Sequence, residues 1–171
     1  MRSEFYITKE KEEALLERLS ITIRERYPEL NPTNTLLLMV SPDYSANVAM
    51  RVAHDLSQDG EMLDILPIDV PYPDEDAKPF QAKAYENLLT YFKYSGVEYK
   101  NYLLVEAGII RGGNYGWLVE LLSSTVTGNI ITTAMFENIY SKFKSDIVME
   151  YYNDPTQDLT FYFEKYNKHW I

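Results

Sequence analysis

The chain contains no cysteine and only two histidines, His54 and His169, among its 171 residues. It can build no disulfide, thiolate nucleophile, cysteine-ligated zinc or iron–sulfur cluster, and a histidine-rich metal site is excluded as well. Cations are also scarce: 16 Lys+Arg stand against 26 Asp+Glu, a formal charge of -10. With no surplus of cations to displace counterions, non-specific binding to DNA or RNA is disfavoured. No stretch approaches the roughly 20 consecutive apolar residues of a membrane span, and the opening MRSEFYITKEKEEALLERL is charged and lacks an apolar signal core. The expectation is a cytoplasmic protein without a membrane partner, whose chemistry rests on oxygen ligands, backbone amides and aromatics. A small anion remains within reach, because backbone N–H groups at a helix N-terminus hold phosphate whatever the net charge.

With 46% hydrophobic and 25% charged residues, the composition is that of a folded globular chain, and the length suits one domain spanning residues 1–171. After Thr8, the residues Ala14, Leu15, Leu16, Leu19, Ile23 and Tyr27 recur near the helical period, and Pro28 ends the run. Thr35 to Val40 is a continuous apolar run, as expected of a strand buried on both faces. Ser41-Pro42-Asp43-Tyr44-Ser45 reads as a break, and Ala46 to Leu56 as a helix returning over the sheet. Met62 to Val70 reads as a strand near an edge, since it contains Pro67, and Lys78 to Tyr94 as another helix. Between Val52 and Ala77 lie eight acids and no Lys or Arg. Asp74-Glu75-Asp76 lacks the spacing of a calcium loop, so the segment reads as a solvated acidic stretch or as a face for a basic partner.

The sharpest local signal is the apolar run Tyr102-Leu103-Leu104-Val105, followed by Glu106-Ala107-Gly108-Ile109-Ile110 and the turn Arg111-Gly112-Gly113-Asn114-Tyr115-Gly116, which opens onto an apolar helix. Gly112, Gly113 and Gly116 permit positive φ and close approach of backbone to a ligand, and the new helix aims its first N–H groups at the same point. Arg111 adds a charge-assisted donor, and Glu106 stands where a sugar hydroxyl would donate. The alternative is that the glycines only make a tight turn and Arg111 faces solvent. The spacing matches neither the dinucleotide fingerprint nor the Walker loop. Asn129 to Phe136 is a further strand, while Asp146 to Tyr152 and Leu159 to Tyr166 are extended and aromatic-rich, joined by Asn153-Asp154-Pro155. The alternation of strand and helix gives an α/β class: a three-layer sandwich with a mainly parallel central sheet and a small C-terminal antiparallel hood over residues 137–171. The aromatics of that stretch, among them Tyr140, Tyr151, Tyr152, Phe161, Tyr162 and Phe163, divide between core and a stacking platform. His54 has no acid at a helical offset to orient it and reads as a surface or packing residue.

Leu103 to Trp117 resembles the phosphoribosyl-pyrophosphate (PRPP) loop of the type I phosphoribosyltransferases. Leu36 to Leu56 resembles the family's first strand, pyrophosphate loop and helix, and Asn129 to Trp170 its hood in the hypoxanthine-guanine branch. The resemblance implies that Arg111, Gly112, Gly113, Asn114 and Tyr115 embrace a 5′-phosphate and that Glu106 lies by the ribose hydroxyls as the catalytic-site acid. It also implies Ser41, Pro42, Asp43 and Tyr44 at the pyrophosphate, Glu137 and Ile147 at the base, and Asp154 near a metal, Mg2+ if the protein is catalytic. The chain departs from that pattern where the family has a second acid (Ala107), a loop acid (Ile110) and a base-reading lysine (Glu137). Two functions therefore stand side by side: nucleobase transfer onto PRPP in purine salvage, and a non-catalytic protein of the same fold that binds a nucleotide or phosphosugar as sensor, regulator or interaction module. A homodimer is the expected assembly.

Overall fold

The structure, a computed structural model, describes residues 4–69, 77–154 and 158–160. In chain order it runs β1 (Glu4–Tyr6), α1 (Lys9–Arg26), β2 (Thr35–Val40), α2 (Pro42–Asp55), β3 (Asp64–Ile68), α3 (Ala77–Ser95), β4 (Asn101–Ile109), α4 (Gly113–Thr125), β5 (Asn129–Asn138), β6 (Ile147–Tyr152) and β7 (Asp158–Thr160). Five strands form one sheet in the order β3-β2-β4-β5-β6, and every neighbouring pair is parallel. Two strands built for burial lie at its centre: β2 is buried at five of its six positions and β4 at eight of nine.

Helices cover both faces. Leu15, Leu16, Leu19 and Ile23 of α1 and Val48, Ala49, Val52 and Ala53 of α2 pack with Leu37, Leu103 and Val105 on one side. Ala84 and Leu88 of α3 and Tyr115, Leu118 and Leu122 of α4 pack with Leu36, Leu38 and Leu104 on the other. This is the expected three-layer α/β sandwich. The chain winds outward from β2 to β3 in one direction and from β4 through β5 to β6 in the other, so the strand order reverses between β2 and β4. Open parallel sheets bind ligands beyond the carboxyl ends of the strands at such a switch point. Among the described residues no helix is long and apolar enough to cross a membrane.

The antiparallel arrangement expected near the C-terminus is corrected. Ile147–Tyr152 is the outer strand of the main sheet, parallel to β5, and β7 pairs in parallel with β1. A parallel neighbour usually needs a long crossover, but here Thr133, not the start of β5, faces Ile147. The connection therefore retreats only about 16 Å along the strand, which residues 139–146 span without a helix. Asp146 pins the return, its Oδ2 accepting from Thr132 N at 2.9 Å and Thr132 Oγ1 at 2.8 Å. The expectations for Phe161, Tyr162, Phe163, His169 and Asp74-Glu75-Asp76 lie outside the described residues.

The outer edge of β6 would expose carbonyls able to pair with another strand. Two arginines of α1 cover it: Arg18 donates to the Met149 carbonyl, and Arg26 Nη1 to the Asp146 carbonyl at 2.8 Å. Lys11 adds an ion pair to Glu150 at 2.7 Å. Replacing both arginines by alanine is expected to cost about 1–2 kcal/mol in urea unfolding and to introduce concentration-dependent association in light scattering. A double variant that stays monodisperse and equally stable would rule out this protective role.

Candidate functional site

The connections leaving the carboxyl ends of β2 and β4 build the switch point. After β4, Ile110 and Arg111 lead to Gly112, the N-cap of α4, with φ +73°. A Cβ at Gly112 would lie 2.2 Å from Ser141 Oγ and 2.8 Å from Phe143 N, so this position requires glycine for packing as well as for conformation. Of the three turn glycines only Gly112 uses positive φ. Gly113 is exposed, with open space where its Cβ would be. Gly116 N donates to Gly112 O at 2.9 Å, the first bond of the helix. The amides of Gly113 and Tyr115 come before that bond, where a helix supplies no acceptor of its own. No acidic residue stands in the first turn of α4, and Arg111 is exposed beside it.

The expected phosphate-binding residues divide between backbone and side-chain roles. Tyr115 is buried, its ring in edge contact with Phe143 at 5.1 Å and its hydroxyl 3.3 Å from the Thr133 carbonyl. Burial, and then the nearby Glu106 charge, push its phenol well above the ordinary value. Its side chain therefore belongs to the core, and only its amide faces the turn. The Arg111 carbonyl accepts from Lys142 N at 3.0 Å, which holds the loop between β5 and β6 against the glycine turn.

On the other side of the switch point there is no pyrophosphate loop. Ser41 alone connects β2 to α2, in a left-handed conformation with φ 52°, and the helix begins at Pro42. The same proline that reads as a breaker has its preset φ and missing N–H at the one helical position that favours both. Ser41 N donates to Ile68 O at 3.0 Å, and Tyr44 N and Ser45 N both donate to Ser41 O at 3.0 Å. Asp43 stands in the first turn, and Tyr44 is exposed.

Between these two helix starts lies Glu106, with 6% of its surface exposed. Its Oε1 accepts from Ser45 Oγ at 2.7 Å and from Ala107 N at 2.9 Å, while Ser45 Oγ in turn accepts from Ala107 N at 2.9 Å. The Ser41 hydroxyl nearby also favours the ionised carboxylate. Ser45 is the residue that sequence reading missed: it is wholly buried, and its partner lies 61 residues away. The only local signal is a hydroxyl residue in the segment following a buried strand.

The remaining expected residues do not gather around this point. Glu137 is fully buried at the end of β5, where Oε2 accepts from Ser145 N at 2.9 Å and Oε1 lies 3.3 Å from Lys144 Nζ. Ile147 is buried in the core on the α1 and α2 side. Asp154 is half-buried beyond β6. Among the described residues no three His, Asp or Glu side chains form a metal-ligand group. Glu106 and Asp154, the acids that the resemblance brings to the ribose and to the metal, do not join such a group.

Burial raises the Glu106 carboxyl from 4.5 to about 7, against the opposing hydrogen bonds of Ser45, Ser41 and the Gly108 and Ala107 amides. A raised carboxyl favours folding fully below the unfolded value, and that contribution is lost as pH rises through about 7, worth roughly 3 kcal/mol in total. Glu106→Gln keeps an acceptor for Ser45 and removes the ionisation. The variant is expected to gain about that much stability relative to the parent between about pH 5 and about pH 8, measured by urea unfolding. A stability difference independent of pH would refute the assignment.

No protein-family model matches the sequence, and no curated protein is detectably similar to it. Solved structures match at the level of fold. The purine phosphoribosyltransferase of Pyrococcus horikoshii superposes with a TM-score of 0.62 at 13% identity, covering 92% of each chain. The xanthine-guanine-hypoxanthine phosphoribosyltransferase of Helicobacter pylori gives 0.64 at 9% identity over 97% of each chain. The hypoxanthine-guanine enzyme of Leishmania tarentolae, solved with GMP, gives 0.59 at 14% identity over 89% of this chain and 83% of its own. At the level of overall fold, this chain has the fold of the type I phosphoribosyltransferases, in the form seen in the purine enzymes.

Proposed function

We propose that this protein binds a phosphorylated ribose ligand, a purine nucleotide or phosphosugar, with the phosphate seated on the first turn of α4. The observation that carries this reading is the exposed Gly113 at the start of a helix whose first turn has no acid, its own amide preceding the first intrahelical bond. Backbone donors and the helix dipole together make an anion site that needs few side-chain cations, which suits a chain of formal charge -10. Arg111 supplies a charge-assisted donor beside it. GMP is bound to the Leishmania tarentolae enzyme of this fold, which supports a nucleotide as the ligand class.

Phosphoribosyl transfer in purine salvage asks more of the same crevice: a group to fix the ribose, and stabilisation of a leaving pyrophosphate. Glu106 is placed for the first, though its Oε1 is already engaged by Ser45 and Ala107. The second requires preorganised positive potential where charge develops. Nucleotide binding without transfer is the reading these groups favour.

Titration calorimetry of the full chain with GMP, IMP and ribose 5-phosphate tests the proposal, together with a pyrophosphate-release assay over a panel of purine bases. Saturable binding is expected, weakened about tenfold by Arg111→Ala and more by Gly113→Asp, which places a charge at the helix start. Neither residue is buried, so thermal unfolding should be little changed. Lack of binding by every phosphorylated ligand ends this reading. Binding accompanied by pyrophosphate release replaces it with the enzymatic one.

A further inference from the structure

The two helices that start at the switch point are unequal, and the inequality bears on how many phosphates the ligand carries. This inference rests on the reading that α4 seats a phosphate. A ligand anchored there and carrying a second phosphate across the crevice would need a second set of donors, and the other helix starting at the switch point is α2. Its N-terminus offers almost none. Pro42, at its first position, has no N–H. Ser41 N is bonded to Ile68 O, and Tyr44 N and Ser45 N to Ser41 O, which leaves at most the Asp43 amide.

The charges point the same way. Asp43 lies in that first turn, and the buried Glu106 is bonded to Ser45 at the end of the same turn, so two acids already occupy the positive end of the α2 dipole. The nearest cation on α2, Arg51, pairs with Asp55 at 2.8 Å. In contrast, α4 has no acid in its first turn. With a single residue between β2 and α2, there is no loop that could wrap a second anion.

We propose that the ligand of this crevice carries a single phosphoryl group, as ribose 5-phosphate or a nucleoside 5′-monophosphate does, and that the pyrophosphate of a PRPP-type ligand gains nothing at α2. The chain then recognises a monophosphate of the kind that a phosphoribosyl transfer produces or consumes in reverse, without itself holding the diphosphate.

Calorimetric titration of the full chain with ribose 5-phosphate and with PRPP, each with and without Mg2+, decides the matter. The expected result is affinities for the two within about threefold of each other and no gain from Mg2+, since the shared 5′-phosphate supplies the binding. Asp43→Asn, which removes one of the two carboxylates, should tighten PRPP severalfold and leave ribose 5-phosphate unchanged. PRPP binding ten times tighter or more to the unaltered chain would leave the phosphate site standing and overturn the single-phosphate assignment. So would an Asp43→Asn effect equal for both ligands. Binding by neither ligand would overturn the phosphate site itself, and this proposal with it.

Discussion

The Glu106 carboxylate sits at the seam where strand order reverses, joined through Ser45 Oγ and the Ala107 amide to the first turn of α2. An unpaired carboxylate in that position would carry a large desolvation cost. The cost is contained because one oxygen gathers the Ser45 hydroxyl and backbone amides. The same bonds fix how closely α2 approaches the end of β4, and with it the width of the crevice between the two helix starts. Removing the acid would release the start of α2 from the end of β4, whereas removing Ser45 would leave the acid without its shortest hydrogen bond. These two residues are therefore one constraint rather than two.

Much of the fold was legible because its signals are local. The runs Thr35 to Val40 and Tyr102 to Val105 are apolar without alternation, as strands covered on both faces must be, and they became the central pair of the sheet. Thr8 ahead of the charged helix is the N-cap of α1, its hydroxyl accepting from Lys11 N. What was not legible depended on register or on distant partners. The segment Ile147–Tyr152 looks like part of an antiparallel appendage because it breaks the strand–helix rhythm, and only the half-strand offset against β5 makes a parallel pairing reachable. Pro42 reads as part of a break, yet it is the first residue of α2, with Tyr44 N and Ser45 N bonded back to Ser41 O.

The site divided along the same line. Glu106, Arg111 and the glycine turn stand close together in sequence, on the last residues of β4 and the connection to α4. Glu137 and Ile147 were assigned through the alignment of a distant family, and both are buried within the protein's own packing. Glu137 shows how such a position is reused. An acid at the end of a strand, facing an eight-residue return from 139 to 146, becomes the anchor for Ser145 N and Lys144. A carboxylate that holds a loop in place cannot be exchanged for a lysine without rebuilding that loop, so its identity follows from the connection it stabilises.

Two adjacent glycines in the turn carry different meanings. Gly112 is locked by the Ser141–Phe143 loop and by its positive φ, and any larger residue would collide whether or not a ligand is ever bound. Its presence is accounted for by packing alone. Gly113 is exposed, has room for a side chain and needs no unusual backbone angle. In the first turn of a helix a glycine is disfavoured relative to alanine unless close approach of something to the backbone requires it. The fold explains the first glycine and leaves the second to function. The bare Gly113 backbone, facing out from a helix start free of acids, is thus the feature of the turn that points to an anion rather than to the sheet beneath it.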